Sequence, residues 1–299
     1  MAKRKKKGPV NEKVAARRAA RKAAAAQAAN PALRRSFEGL PGEADWVAMR
    51  EVVPAATAQV HTTAEHGDRD VTIATVLPGM IPAMHRDDGA IFIALQTITS
   101  SGDPSRDLAF ALEQMLDSEP GTSLTHLELP GDGPRLQDML VTDQPFEVTV
   151  HESFDFVVPD DTEPTPELTA ALEEFSGAIV PTVKLESVPS AYWCRMGARE
   201  FLRWSRTEEE ESLLDALARL RAAGTSALDE GSKFIGAFRS CGLVIPVWEL
   251  APGTEAEELE APAPDFEKRL TEALAVTEAL TADERRARAG IVSRQVTLR

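Results

Sequence analysis

The sequence predicts an α+β fold: a strand-rich first half, a mainly helical second half, and ahead of both a basic arm that is disordered or partly helical. Three observations carry this expectation. Short apolar runs of period two gather before residue 160, and apolar spacing of about 3.6 residues dominates after it. Charge is also segregated along the chain. Residues 1–35 hold twelve Lys/Arg and one acid, a net of +11, although the whole chain has a formal charge of −15. Residues 36–299 therefore hold 21 basic and 47 acidic side chains, a net of −26.

The arm, residues 1–35, opens on a cluster of Lys3, Arg4, Lys5, Lys6 and Lys7. From Glu12 to Ala29 it consists of strong helix formers, ended by Asn30-Pro31. On a helix, Lys13, Arg17, Arg18, Arg21 and Lys22 fall in one half and Ala15, Ala16, Ala19, Ala20 and Ala23 in the other. Alanine offers little area to bury, so such a helix forms only in part when free.

Residues 36–160 read as an α+β domain. Phe37, Leu40, Trp46, Val47 and Met49 anchor its start in "SFEGLPGEADWVAMREVVPAATA". Two strands follow, "VTIATVL" at 71–77 and "AIFIALQTI" at 90–98. In "SRDLAFALEQMLDSEPG", Leu108, Ala111, Leu112, Met115 and Leu116 keep helical spacing, and Pro120-Gly121 stops the helix. "QPFEVTVHESFDFVVP" reads as a hairpin or one long bent strand.

The acidic, proline-rich "PDDTEPTP" marks the expected boundary. Residues 161–250 then read as mainly helical: one helix bearing Leu168, Leu172 and Phe175, one bearing Trp193, Met196, Phe201 and Trp204, one in "EEEESLLDALARLRAAG", and one near 230–241. A strand is expected at "VKLESV", and Pro246 in "LVIPVWEL" argues for an edge strand. The order after residue 212 resembles a winged helix-turn-helix, but Asp229 and Glu230 beside Lys233 and Arg239 favour a structural helical hairpin. Residues 251–264 form an acidic proline-bearing linker, and 265–299 a C-terminal helix and basic tail.

Catalytic signatures are sparse. There is no phosphate loop, nucleophile elbow, dinucleotide fingerprint or zinc-protease helix. "HTTAEHGDRD" brings His61, Glu65, His66, Asp68 and Asp70 together, yet its His-x4-His spacing matches neither a helical pair nor a finger, so a surface turn is expected. Cys194, among Trp193, Met196 and Phe201, reads as a buried inert thiol, and Cys241 as a residue near a helix end. Two cysteines exclude a disulfide scaffold and fit a reducing compartment. No apolar run reaches the ~20 residues of a membrane helix. The expectation is a cytoplasmic protein with no cofactor, no metal and no membrane partner.

The segment "RSFEGLPGEADWVAMREVVPAATA", with the basic alanine-rich arm before it, resembles an actinobacterial family defined as a domain of unknown function. "LDALARLRAAGTSALDEGSKFIGAFRSCGLVIPVWEL" is similar to that family's carboxyl half, so the resemblance spans nearly the whole chain. It implies no activity and no catalytic residue.

Function therefore rests on charge. Lys3, Arg4, Lys5, Lys6, Lys7, Lys13, Arg17, Arg18, Arg21 and Lys22 suit phosphate contact with release of counterions, without base reading. The acidic body repels phosphate and suits basic proteins instead. The expected partner is nucleic acid or a ribosome, bound through residues 1–35, with the protein non-enzymatic. The alternative is an enzyme with a small-molecule site at the junction of the two halves, drawing on His61, His85, His151, Trp193 and Arg195.

Overall fold

The computed structural model describes residues 35–159 and 162–293. The basic positions of the arm before Arg35 lie outside the described residues.

A left-handed Gly42, φ 66°, opens helix α1 (Glu43–Glu51). No other residue fits there, because a Cβ would stand 2.9 Å from that of Phe146. That close approach lets Trp46 stack between Phe37 and Phe146, at centroid distances of 5.4 and 4.3 Å. Strands β1 (Ala56–His61), β2 (Asp70–Ala74), β3 (Ala83–His85) and β4 (Ile91–Ala94) follow. After helix α2 (Pro104–Leu116) come β5 (Thr122–Leu124), the short α3 (Leu136–Met139) and β6 (Thr149–Val150). They form a six-stranded sheet of order β5-β3-β4-β2-β1-β6, antiparallel except for the β2/β4 pair. Helix α2 packs on β3 and β4 with Leu108, Ala111, Leu112 and Met115 inward, as its periodicity predicts.

After α4 (Pro166–Ser176) the chain builds a second sheet from β7 (Thr182–Lys184), β8 (Ala191–Met196), β9 (Arg199–Trp204), β10 (Lys233–Ser240) and β11 (Leu243–Glu249). Its order is β10-β11-β9-β8-β7, antiparallel throughout. Helix α5 (Glu210–Ala222) covers it together with α6 (Pro262–Leu274) and α7 (Ala282–Val292). The fold is α+β.

Several expectations for the second half give way. Residues 191–196, 199–204 and 233–240 are strands where helices are expected; with β7 and β11, both in segments expected to be strands, they give this half five strands. Among the described residues the expected helical hairpin gives way to α5 followed by the β10/β11 hairpin. The reason is burial on both faces. Tyr192, Phe238, Leu243 and Ile245 enter the core of the first sheet, whereas Trp193, Trp204, Val244 and Trp248 enter the core under α5, α6 and α7. A strand covered on both sides loses the apolar-polar alternation that identifies it. Pro246 lies on an interior strand: β11 pairs with β10 through it, and with β9 at Val247–Glu249 and then only at the Arg206–Val244 bridge. The β9 ladder skips the residue that has no N–H to give.

Cys241 sits in the β10/β11 turn, not at a helix end, with φ 46° followed by Gly242 at 86°. The expected linker is packed, with Ala256 and Leu259 buried and α6 starting at Pro262. The expected basic tail is helical over 282–292, capped by Thr281 and Glu284 and anchored by the buried Ile291. Of "QPFEVTVHESFDFVVP", only Thr149–Val150 is a strand; Phe154 and Phe156 turn back onto the first sheet.

Candidate ligand groove on the outer face of the first sheet

Alternation along β1 sends Ala56, Ala58 and Val60 into the core. Thr57, Gln59 and His61 consequently share the opposite face. Strand pairing supplies their partners. Gln59 stands opposite Thr72, and His61 opposite Asp70. Thr57 is a diagonal neighbour of His151, since it pairs with Thr149. The side chains use this register: Gln59 Nε2 donates to Thr72 Oγ1 at 2.9 Å, and Thr57 Oγ1 and His151 Nε2 lie 2.8 Å apart.

On the far side of Thr72 lies Phe92, its register partner in β4. The Arg86 guanidinium covers the Phe92 ring at 5.1 Å and grips Asp88 through two bonds of 2.9 and 2.7 Å. Phe156, against which the His151 ring packs at 4.7 Å, closes one wall. Asp68, Arg69 and Asp70 form the other. These elements enclose an open groove of about 680 Å³.

His61 fixes the loop at the mouth of the groove. Its Nδ1 meets Asp70 at 2.7 Å and its Nε2 meets Asp68 at 3.0 Å. A neutral imidazole has one N–H, so satisfying both carboxylates takes the imidazolium. The bonds to Asp68 and Asp70 accordingly raise the His61 pKa above 6.5. Burial pushes His151 the other way, keeping it neutral and able to accept from Thr57.

The two histidines impose opposite pH dependences. His61 contributes stability that is complete below its unfolded pKa and is lost as pH rises through its raised folded value. His151 contributes stability present above its unfolded pKa and lost as pH falls through its depressed folded value. An NMR titration should place the His61 midpoint above 6.5 and that of His151 below it. Asp68→Asn with Asp70→Asn should bring His61 down and leave His151 in place. A His61 midpoint unmoved by the double change would refute the pairing.

The sequence-based candidates divide. Of the "HTTAEHGDRD" cluster, His61, Asp68 and Asp70 converge, while His66 turns back to Thr63 Oγ1 at 2.9 Å. Among the described residues no group of three or more His, Cys, Asp or Glu is placed to hold a metal ion. His85 is buried, its Nδ1 3.0 Å from the Ser118 carbonyl. Trp193 and Arg195 belong to the second sheet, where Arg195 pairs with Glu200 and Glu255. Asp45, Lys184 and Tyr192 bond across the junction of the halves, whereas the five residues suggested for a site there have their partners elsewhere: His61, His85 and His151 with the first sheet, Trp193 and Arg195 within the second half. Cys194 is buried, and burial raises its thiol pKa. No motif marks Thr57, Gln59, Arg69 or Thr72; the alternation of polar with apolar residues in "TAQVH" is the one signal, and it places Thr57 and Gln59 on a shared face.

No helix among the described residues is long and apolar enough to cross a membrane. No curated protein and no solved structure matches the chain. The span 36–299, which carries both sheets and the groove, matches DUF5926, a family of unknown function, and the chain belongs to that family.

Proposed function

We propose that the protein attaches to an anionic polymer, RNA in a ribosome or free nucleic acid, through residues 1–35, and presents its acidic body as an interaction module. The observation that carries this reading is the opposite charge of the two parts, +11 against −26. The folded part adds support. Its cationic side chains are mostly engaged internally: Arg206 lies between Glu208 and Glu267, Arg239 meets Glu210, and Arg288 lies between Glu211 and Asp215. The acidic run 208–211 thus holds three arginines in place. Cations paired in this way are poorly placed to neutralise phosphates, which leaves that role to the arm.

The test is RNA and ribosome co-sedimentation across a salt series. The full-length protein is compared with a full-length variant in which Lys13, Arg17, Arg18, Arg21 and Lys22 are glutamine. If about six phosphates are contacted, log affinity should fall with a slope of about −4 to −5 against log salt. The variant should bind more weakly and with a shallower slope. Equal binding by both proteins would overturn the proposal.

A second reading, a small-molecule site, is favoured by one observation: the groove on the first sheet gathers polar side chains around a cavity of about 680 Å³. It replaces the junction as the place for such a site.

A further inference from the structure

We infer that the groove binds a small organic monocarboxylate with a flat apolar body, and that Arg69 holds the carboxylate. The inference rests on the groove being a ligand site and is independent of polymer binding by the arm.

The charges around the groove select the ligand. Asp68 and Asp70 are taken up by His61, and Asp88 by Arg86. Arg69 is the cation lining the groove for which no carboxylate partner is found among the described residues; its backbone is tied to Thr62, and its guanidinium makes a long contact of 3.5 Å to the Gly89 carbonyl. On a body of −26, this is a place where charge is locally balanced and a planar, fork-shaped donor remains free. Guanidinium binds a carboxylate in two parallel bonds. A dianion such as phosphate fits less well, because Arg69 offers a single positive charge in a place whose other charges are already paired.

The remaining surface describes the rest of the ligand. Gln59 spends one amide hydrogen on Thr72, leaving its second N–H for a ligand oxygen. Phe156 and Val158 give an apolar wall beside that polar floor. A concave site with an apolar wall and a few directed polar groups is how small-molecule pockets are generally built.

The probes are benzoate and nicotinate with their neutral isosteres, benzamide and nicotinamide, and inorganic phosphate. Each is titrated into the full-length protein while the Gln59 side-chain amide and the Thr57 and Thr72 methyls are followed by NMR. These reporters separate the groove from the arm, so anions collected by residues 1–35 do not register. The acids should give saturable shifts at all three residues, with affinity at least tenfold above that of the amides and of phosphate. Arg69→Gln should reduce the acids to the level of the amides. Arg69 is exposed, so this variant should fold; Gln59→Leu provides a second change that should weaken acids and amides alike. The inference is overturned if the acids leave these resonances unmoved, if phosphate binds more tightly than they do, or if Arg69→Gln binds them as the native protein does. RNA binding by the arm should persist in Arg69→Gln, so failure of one proposal is distinguishable from failure of the other.

Discussion

Trp248→Ala is expected to lower the unfolding free energy by about 3–5 kcal/mol, the range for removing a fully buried large aromatic. Trp248 is 1% exposed on an interior strand of the second sheet. Its ring meets Phe266 edge-on at 5.0 Å, Phe234 at 5.3 Å and Trp204 at 6.3 Å, so it touches two further strands and helix α6. Strands on either side and a helix above hold the walls of the cavity apart, which limits collapse and keeps the cost high. The substitution also orphans the Ser226 carbonyl, which accepts from Trp248 Nε1 at 2.8 Å. Trp248→Phe keeps most of the packing and loses that bond, and should cost about 1–2 kcal/mol. Urea unfolding of both variants measures the difference. A loss below about 1 kcal/mol for the alanine variant would mean that this aromatic cluster does not organise the second core.

Asp45→Ala should be nearly as damaging, at about 2–4 kcal/mol, because it removes one carboxylate from two partners. Asp45 sits in the first turn of α1, where the helix dipole favours negative charge. Its Oδ1 accepts from the buried Tyr192 hydroxyl at 2.6 Å and its Oδ2 from Lys184 at 3.0 Å, which joins α1 to β7 and β8. The lower end of the range reflects the Lys184 side chain, which is 28% exposed and recovers some hydration. Asp45→Asn retains an acceptor for Tyr192 and should be milder.

A spectroscopic readout accompanies the stability change. Tyr192 is the only tyrosine in the chain, so tyrosinate absorbance reports on it alone. Burial, the Asp45 charge and the hydrogen bond to Asp45 hold its pKa well above 10.0. Alkaline titration of the folded native protein should therefore show little tyrosinate until the chain unfolds. In Asp45→Ala two of those causes disappear, and the midpoint should move down. An unchanged titration would show that the carboxylate and the phenol do not interact.

How far the sequence disclosed this structure depended on how each segment is buried. Helices α2 and α5 bury one face, so Leu108, Leu112 and Met115, and Leu213, Leu214 and Leu217, printed a readable spacing. Strands β8 and β11 are covered on both faces, so "AYWC" and "LVIP" carry no alternation: the first reads as helix, and the second as a strand at an edge instead of the interior. The groove followed the same logic. The turn in "HTTAEHGDRD" was legible, but the contact of His61 with Asp70 depends on a pairing register that brings β1 back against β2. Arg86 and Phe156 reach the site from later parts of the chain, through a parallel strand pair and a short 3-10 turn that no local pattern announces.

The core that Tyr192, Phe238, Leu243 and Ile245 share with the first sheet has a practical corollary. Cutting the gene at the acidic proline-rich joint would yield two pieces, each with a raw apolar surface where the other belongs. Expressed singly, such pieces should stick to chaperones or precipitate; produced together, they should reassemble. A complementing pair of this kind would let the protein serve as a split reporter, with signal returning only when both sheets meet.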